Sequence, residues 1–299
     1  MYALILNPSS GSGRALRELP RIEALLEQEQ VEYRVDSADK PGDLRAFAAR
    51  AVEEGLEGII ALGGDGTLFE ILNGMARSDL TLLLACCGTG NDFSRLFRLP
   101  NDPVEALRMQ LHLPLSRIDI GRMNEFYFLN VAGTGLDVEV LVQAEKYKFG
   151  HSGLGPYLRG LRDAIRFFRP TNARLIVDGE AEVSARFTIL SLGNGRYIGG
   201  GMKAVPNAKP DDGLLDLVLV RPVKKWQIGA LLALYVPGLY VKTPLAKVRR
   251  VRTLEIACPG MTVNLDGELK PCDRARFEIL PAALRVRLPG LAPERRVAE

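Results

Sequence analysis

Along the first third of the chain, short apolar runs alternate with stretches whose apolar residues recur every three or four positions. "YALILN" leads into a helical pattern around residues 17–30, "EYRV" into one around 44–54, "GIIAL" into one from about residue 68, and "TLLLA" into "NDFSRLF". This alternation predicts parallel strands joined by crossover helices. Ligands of open parallel sheets bind beyond the carboxyl ends of the strands, and "NPSSGSGR", "GGDGT" and "CCGTGND" all fall there. Three glycine-rich loops are therefore expected to line one crevice.

Beyond about residue 115 the pattern changes to strand pairs and turns. "SRIDIGRMNEFYFLNVAG", "ARLIVDGEAEVSARFTILSLGNG" and "MTVNLDGELKPCDRARFEIL" each predict a hairpin, the second turning at Asp178-Gly179. Helices are expected within residues 156–168 and 224–236. The pattern divides the chain into an α/β nucleotide-binding domain over residues 1–120 and a β-rich domain over 121–299, with the last residues returning to the first domain.

Composition narrows the class. Of 299 residues, 47% are apolar and 25% charged, as in an ordinary globular protein large enough for two domains. A net charge of +3 is too small to make nucleic acid the main partner. Cys86, Cys87, Cys258 and Cys272 form no CxxC pair and, with only two histidines, no zinc spacing, so they read as reduced thiols of a cytoplasmic protein. "MYALILNPSSG" reads as a first strand and lacks the features of a signal peptide. The longest uncharged apolar stretch, residues 226–241, is interrupted by Gly229, Pro237 and Gly238 and falls short of the roughly 20 residues of a membrane span. It reads first as a buried helix and second as an interfacial one.

"GGDGTLFEIL" carries the densest chemistry. Gly63, Gly64 and Gly66 allow a ligand to approach the main chain, so that N–H groups can face phosphate oxygens. Thr67 and Glu70 have the spacing of a capping box, which would start a helix here with its positive end toward the same space. Asp65 in this loop requires a cation or hydrogen-bond donors to sit beside phosphate, and Mg²⁺ favours one or two carboxylates with phosphate oxygens and water. A plain glycine turn before a capped helix is the structural alternative. The chain contains neither a Walker A motif nor GxGxxG.

"NPSSGSGRA", "GGDGTLFEILNG", "GTGNDFSR", "PNAKPDDGLLDL" and "NLDGE" occur in an order and at a spacing that resemble the diacylglycerol kinase catalytic family, which includes bacterial soluble lipid kinases and the sphingosine and ceramide kinases. "GGDGT" alone is shared with NAD kinases and, in variant form, phosphofructokinases. The resemblance implies an α/β plus β fold: an N-terminal Rossmann-like domain of the phosphofructokinase/NAD-kinase type and a C-terminal β-sandwich, with the site in the cleft between them. Phe69 stands where the family often has Asn, and Ser94 where it often has Ala.

The resemblance also implies roles. Asn7, Pro8, Ser9, Ser10 and Gly11 would contact ATP, and Gly63, Gly64, Asp65, Gly66, Thr67, Leu68, Phe69 and Glu70 would hold its phosphates. Thr89 would touch the nucleotide, Asn91 the site, and Asp92 a magnesium–water network, with Asp65 and Asp119 as further acids near the metal. Glu268 would be the general base. Lys209 and Leu214 would lend carbonyls, and Asp212 its carboxylate, to a structural Mg²⁺. From the residues alone, Asn91 or Asp92 also suits a helix N-cap, Asp119 the solvent side of a strand, and Asp266-Gly267 and Asp212-Gly213 simple turns.

The implied activity is transfer of the γ-phosphoryl group of ATP to a hydroxyl of a membrane lipid such as diacylglycerol. The implied location is the cytoplasm, peripherally at the inner face of the membrane. Arg159, Arg162, Arg166 and Arg169, after Lys146 and Lys148, recur at helical spacing and suit either a solvated face or an anionic bilayer. A homodimer is left open. The competing readings are an NAD kinase-like phosphotransferase and a nucleotide- or lipid-binding protein without turnover.

Overall fold

The computed structural model describes residues 1–145, 162, 163 and 165–294. The first lobe is built as the sequence pattern predicts. Strands β1 (Tyr2–Leu6), β2 (Tyr33–Ser37), β3 (Gly58–Gly63) and β4 (Thr81–Cys86) pair in parallel in the order β2-β1-β3-β4. Helices α1 (Ser10–Gln28), α2 (Asp43–Glu53), α3 (Asp65–Met75), α4 (Asp92–Leu96) and α5 (Pro103–His112) connect or cover them. β3 and β4 are almost wholly buried and read as continuous apolar runs, because helices cover both faces of the sheet. Asp102 starts α5 by accepting the N–H groups of Val104 and Glu105, ahead of Pro103 in the first turn.

The second lobe folds from antiparallel strands. β5 (Ser116–Met123) and β6 (Phe126–Phe128) form the first hairpin, β8 (Thr171–Val177) and β9 (Val183–Phe187) the second, and β13 (Thr253–Leu265) and β14 (Glu268–Val286) the third. Asp178-Gly179 and Asp266-Gly267 all take positive φ at the turns, which explains the glycine at the second place. Between β7 (Val131–Gly135) and β10 (Ile189–Gly193), helix α6 (Leu136–Glu145) follows β7. The outer strands β11 (Leu215–Val220) and β12 (Ala246–Val251) extend the sheet from β10. Helix α7 (Ile228–Tyr235) follows a short 3-10 turn at Lys225–Gln227. Side chains from β5 to β14 close on one apolar core that includes Phe128, Phe187, Leu217, Leu265 and Phe277, giving the β-sandwich character.

Two features join the lobes. The end of β14 pairs in parallel with β4, Arg285 with Thr81 and Val286 with Leu82, so the last strand completes the first lobe's sheet. Helix α3 inserts Phe69, 1% exposed, into the core of the second lobe, while Asn73 and Tyr127 exchange hydrogen bonds of 3.0 and 2.9 Å.

The Phe69 side chain is therefore interlobe core, so any contact it makes with nucleotide would be through its main chain. Leu68 is likewise buried, in the first lobe's core. The capping-box expectation is also corrected. The helix starts at Asp65, three residues before the predicted position, with Gly64 as N-cap and no side-chain cap. Thr67 lies inside the first turn, and the Glu70 carboxylate pairs with Arg45 of α2 at 3.2 Å. Of the predicted arginine stripe, Arg159, Lys146 and Lys148 lie outside the described residues, whereas Arg162, Arg166 and Arg169 are exposed.

Truncating a buried phenylalanine removes its transfer energy and leaves a cavity. Phe69→Ala should lower stability by about 3–5 kcal/mol in urea unfolding monitored by circular dichroism. A loss below about 1 kcal/mol would mean that the lobes are not coupled through this ring.

Candidate active site

The three glycine-rich loops meet as expected, and the contacts show why glycine is needed. A Cβ on Gly64 would lie 2.9 Å from the Cα of Gly88, and one on Gly11 would lie 2.0 Å from the carbonyl oxygen of Cys87. The loops after β1, β3 and β4 therefore pack main chain against main chain, and Gly11 also has φ +59. Asn7 donates from Nδ2 to Thr67 Oγ1 at 3.3 Å, and Ser10 and Thr67 share a hydroxyl–hydroxyl bond of 3.1 Å. Asn7 Oδ1 accepts from the N–H and hydroxyl of Ser9. Pro8 occupies the turn between Asn7 and Ser9, and exposed Thr89 occupies the loop after β4.

At the start of α3, the N–H groups of Asp65, Gly66 and Thr67 precede the first intrahelical bond, Leu68 N–H to the Gly64 carbonyl. These donors and the helix dipole suit an anion. Gly66 is exposed, and a Cβ there would stand 3.6 Å from Glu268 Oε1. Thus the β13–β14 turn of the second lobe brings the Glu268 carboxylate over the first turn of a first-lobe helix.

The acids fall into two kinds. Asp65 Oδ1 accepts the N–H of Asp92 at 2.8 Å, at the start of α4. Burial raises the Asp65 pKa, the charge of Asp92 adds to it, and the N–H groups of residues 91–93 oppose it. Asp92, 6% exposed, accepts the N–H of Gly200 at Oδ2 (2.9 Å), while its buried Oδ1 has no hydrogen-bond partner. Burial also raises Asp92, against the N–H groups of Gly200 and Gly201 and the charge of Arg95. Asn91, with φ +50, donates to the Gly88 carbonyl, and its buried Oδ1 is unpartnered.

Asp119 is of the other kind. Its Oδ2 accepts from Gly213 (2.7 Å) and its Oδ1 from Ala282 (2.8 Å), so both oxygens are used to join β5, the 209–214 loop and β14. Burial raises its pKa; these donors oppose the rise, and Asp212 and Asp211 reinforce it. In the loop itself, Asp212 Oδ1 accepts from Leu214 N–H at 3.2 Å and its buried Oδ2 is unpartnered, while Lys209 is exposed. Among the described residues there is no group of three or more His, Cys, Asp and Glu able to hold a metal. A cation here would depend on one or two carboxylates completed by carbonyl, phosphate or water oxygens.

The sequence reading missed two contributors. Gly199, Gly200 and Gly201, all with positive φ, form the second-lobe loop that meets Asp92, and a run of three glycines was the available signal. Asp266 acts as more than a turn residue: it accepts the N–H groups of Leu129, Asn130 and Val131. Burial lifts its carboxyl to about 7 despite those donors, and Asp65 contributes to the rise.

Residues 1–123 match the family model described as diacylglycerol kinase catalytic domain, and residues 130–288 match a YegS C-terminal NAD kinase beta sandwich-like domain. A diacylglycerol kinase of Mycobacterium tuberculosis is 32% identical over 291 residues, covering 95% of this chain and 94% of that protein. One from Staphylococcus saprophyticus is 32% identical over 89% of this chain and 88% of its own. In fold, the chain is similar to a crystal structure of a diacylglycerol kinase from Bacillus anthracis (TM-score 0.75, 22% identity, 97% and 98% coverage). An ATP-bound NAD kinase from Archaeoglobus fulgidus shares the fold at TM-score 0.56 and 16% identity, covering 97% and 94%.

Outside the cleft, Asp137 accepts a 3.4 Å bond from the Tyr235 hydroxyl, and its other oxygen is buried without a partner. Burial lifts its carboxyl from 3.8 to about 6. Between those values the folded chain holds a proton that the unfolded chain releases, so this group's contribution to stability is complete below 3.8 and lost as pH rises through about 6. Asp137→Asn removes the titration and keeps an acceptor for Tyr235. Urea unfolding of wild type and variant between pH 4 and 7 should diverge in the variant's favour by about 2 kcal/mol as pH rises. Parallel curves would refute the burial of an ionisable carboxyl there.

Proposed function

The chain belongs to the diacylglycerol kinase catalytic-domain family, and we propose that it transfers the γ-phosphoryl group of ATP to a hydroxyl of a membrane lipid, diacylglycerol being the foremost candidate. The observation that carries this reading is the position of Glu268 Oε1 over Gly66, where a carboxylate from one lobe faces the N-terminal turn of a helix of the other. Phosphoryl transfer rests on positioning and charge neutralisation, so this facing pair has the parts that the chemistry requires.

In the proposed arrangement the ATP phosphates lie on the N–H groups of Asp65, Gly66 and Thr67, with Asn7, Ser9, Ser10, Gly11 and Thr89 forming the nucleotide side. The lipid hydroxyl approaches from the second lobe, and Glu268 accepts its proton as the oxygen attacks phosphorus. Leu68, Phe69 and Glu70 serve by holding the helix rather than by touching phosphate.

The donors also fit Mg²⁺. Asp92 Oδ1 is a buried carboxylate oxygen without a hydrogen-bond partner, 4.0 Å from Arg95 Nε and beside Asp65, and these two acids would hold the ion together with phosphate oxygens. When bound, Mg²⁺ would offset the phosphate charge that builds up during transfer. Asp212 Oδ2 gives the same argument for a second, structural ion with the carbonyls of Lys209 and Leu214. Asp119, with both oxygens occupied, positions that loop.

The test is ³²P transfer from ATP to a panel of lipids and to NAD. Diacylglycerol or a related lipid should be labelled and NAD should not. Glu268→Gln and Asp65→Ala should each lower kcat by at least about 100-fold, within the range of a lost general base. Equal rates in wild type and both variants would overturn the mechanism, and labelling of NAD alone would overturn the substrate class. Asp212→Ala should lower the thermal midpoint in Mg²⁺ and abolish the Mg²⁺-dependent part of that midpoint, with ATP affinity changed less than about threefold; an unaltered Mg²⁺ titration would remove the structural ion.

A further inference from the structure

We propose that the outer face of α7, headed by Trp226 and flanked by Lys224 and Lys225, is the surface by which the protein docks on an anionic lipid bilayer; the proposal rests on the lipid-kinase reading for its purpose but on separate residues for its argument. Trp226 is 77% exposed, the most exposed large apolar side chain among the described residues. From Trp226 to Val241 the chain carries no charge. Ile228, Leu231 and Tyr235 turn inward to the core, whereas Gly229, Ala230 and Ala233 face outward, and Val236 and Leu239 continue the exposed apolar surface.

The segment carrying exposed Phe167 joins this surface, because Lys225 Nζ donates to the Arg166 carbonyl. An exposed tryptophan on an apolar helix face is unfavourable in water and favoured at the boundary between headgroups and acyl chains. Among the described residues no helix is long and apolar enough to cross a membrane, and α7 has only 8 residues, so this face would lie in the interface.

Charge selects the occupant. Between Asp216 and Glu255 the sequence has no acid, and exposed Lys224, Lys225 and Lys242 bracket the uncharged stretch, whereas Arg249 and Arg250 are paired with Glu180 and Asp216. Cations around an apolar face match a surface of negative lipid headgroups. A second copy of the chain would set the same cations against each other across a two-fold axis.

Position links the face to the cleft. Lys203 N–H donates to the Val236 carbonyl at 3.0 Å, the Tyr240 hydroxyl donates to the Ala204 carbonyl, and in the same short segment Gly200 N–H reaches Asp92. The end of α7 is thus tied to the loop that meets the catalytic acids. A protein seated on this face would hold its cleft close to the bilayer from which the lipid hydroxyl comes.

Trp226 is the single tryptophan of the chain, so its emission reports on this site alone. The full chain is mixed with vesicles of phosphatidylcholine, with or without phosphatidylglycerol. Emission should shift to the blue, and be quenched by brominated acyl chains, only when phosphatidylglycerol is present. The double variant Lys224→Glu, Lys225→Glu should partition onto these vesicles at least about tenfold more weakly, since two cation–headgroup attractions become repulsions. That variant and Trp226→Ala should phosphorylate dispersed short-chain diacylglycerol at the wild-type rate, yet act on vesicle-embedded diacylglycerol about tenfold more slowly.

An emission maximum unmoved by anionic vesicles, or equal partition of the variants, would overturn the docking face. A blue shift produced by raising protein concentration without lipid would assign it to a second copy instead, and also overturn it. Failure of the wild type on dispersed diacylglycerol, with the vesicle-induced shift intact, would refute the kinase reading while upholding the docking surface.

Discussion

The hydrogen bond from Asp92 N–H to the Asp65 carboxylate fixes the geometry on which the rest of the cleft depends. It satisfies a half-buried acid at the start of α3 with a free donor at the start of α4, and so locks the loops after β3 and β4 together. A buried carboxylate without such donors carries a large desolvation penalty. The same device recurs across the lobes: Asp92 holds Gly200, Asp119 holds Gly213 and Ala282, and Asp266 holds residues 129–131. Acids that the sequence suggests as ligands are thereby also the struts of the site.

These bonds sort the acids by what remains available. Asp92 and Asp212 each keep one buried oxygen without a hydrogen bond, whereas Asp119 keeps none. An orphan buried oxygen is costly unless a donor or cation completes it, which makes Asp92 and Asp212 the candidates for an ion among these three acids. Asp119, assigned to the metal by family resemblance, differs from them in a way visible only when its donors are known.

Much of this was legible in the sequence, for identifiable reasons. Strand–helix alternation and glycine-rich loops are local signals, and they correctly anticipated the parallel sheet, the order of hairpins and the meeting of the three loops. The capping box was not realised because Gly64 starts the helix three residues earlier, leaving Thr67 to bond Asn7 and Ser10 and Glu70 to pair with Arg45. Phe69 was illegible because its neighbours come from the second lobe, far along the chain. The Gly199–Gly201 loop escaped notice for the same reason: its partner, Asp92, is more than a hundred residues away.

Phe69 bears on how the two lobes cooperate. In the family that position often carries a polar Asn; here a ring fills the second lobe's core, and Lys270 lies 5.3 Å from its centroid and 4.7 Å from that of Phe126. Lys270 is two residues beyond Glu268 on β14, so both side chains leave the same face of the strand. Glu268 therefore stands on a strand held to α3 by the Lys270–Phe69 contact, while the Asn73–Tyr127 exchange ties α3 to β6. Rigid attachment of this strand to this helix is what lets a residue from a distant hairpin keep its place above the first turn of α3.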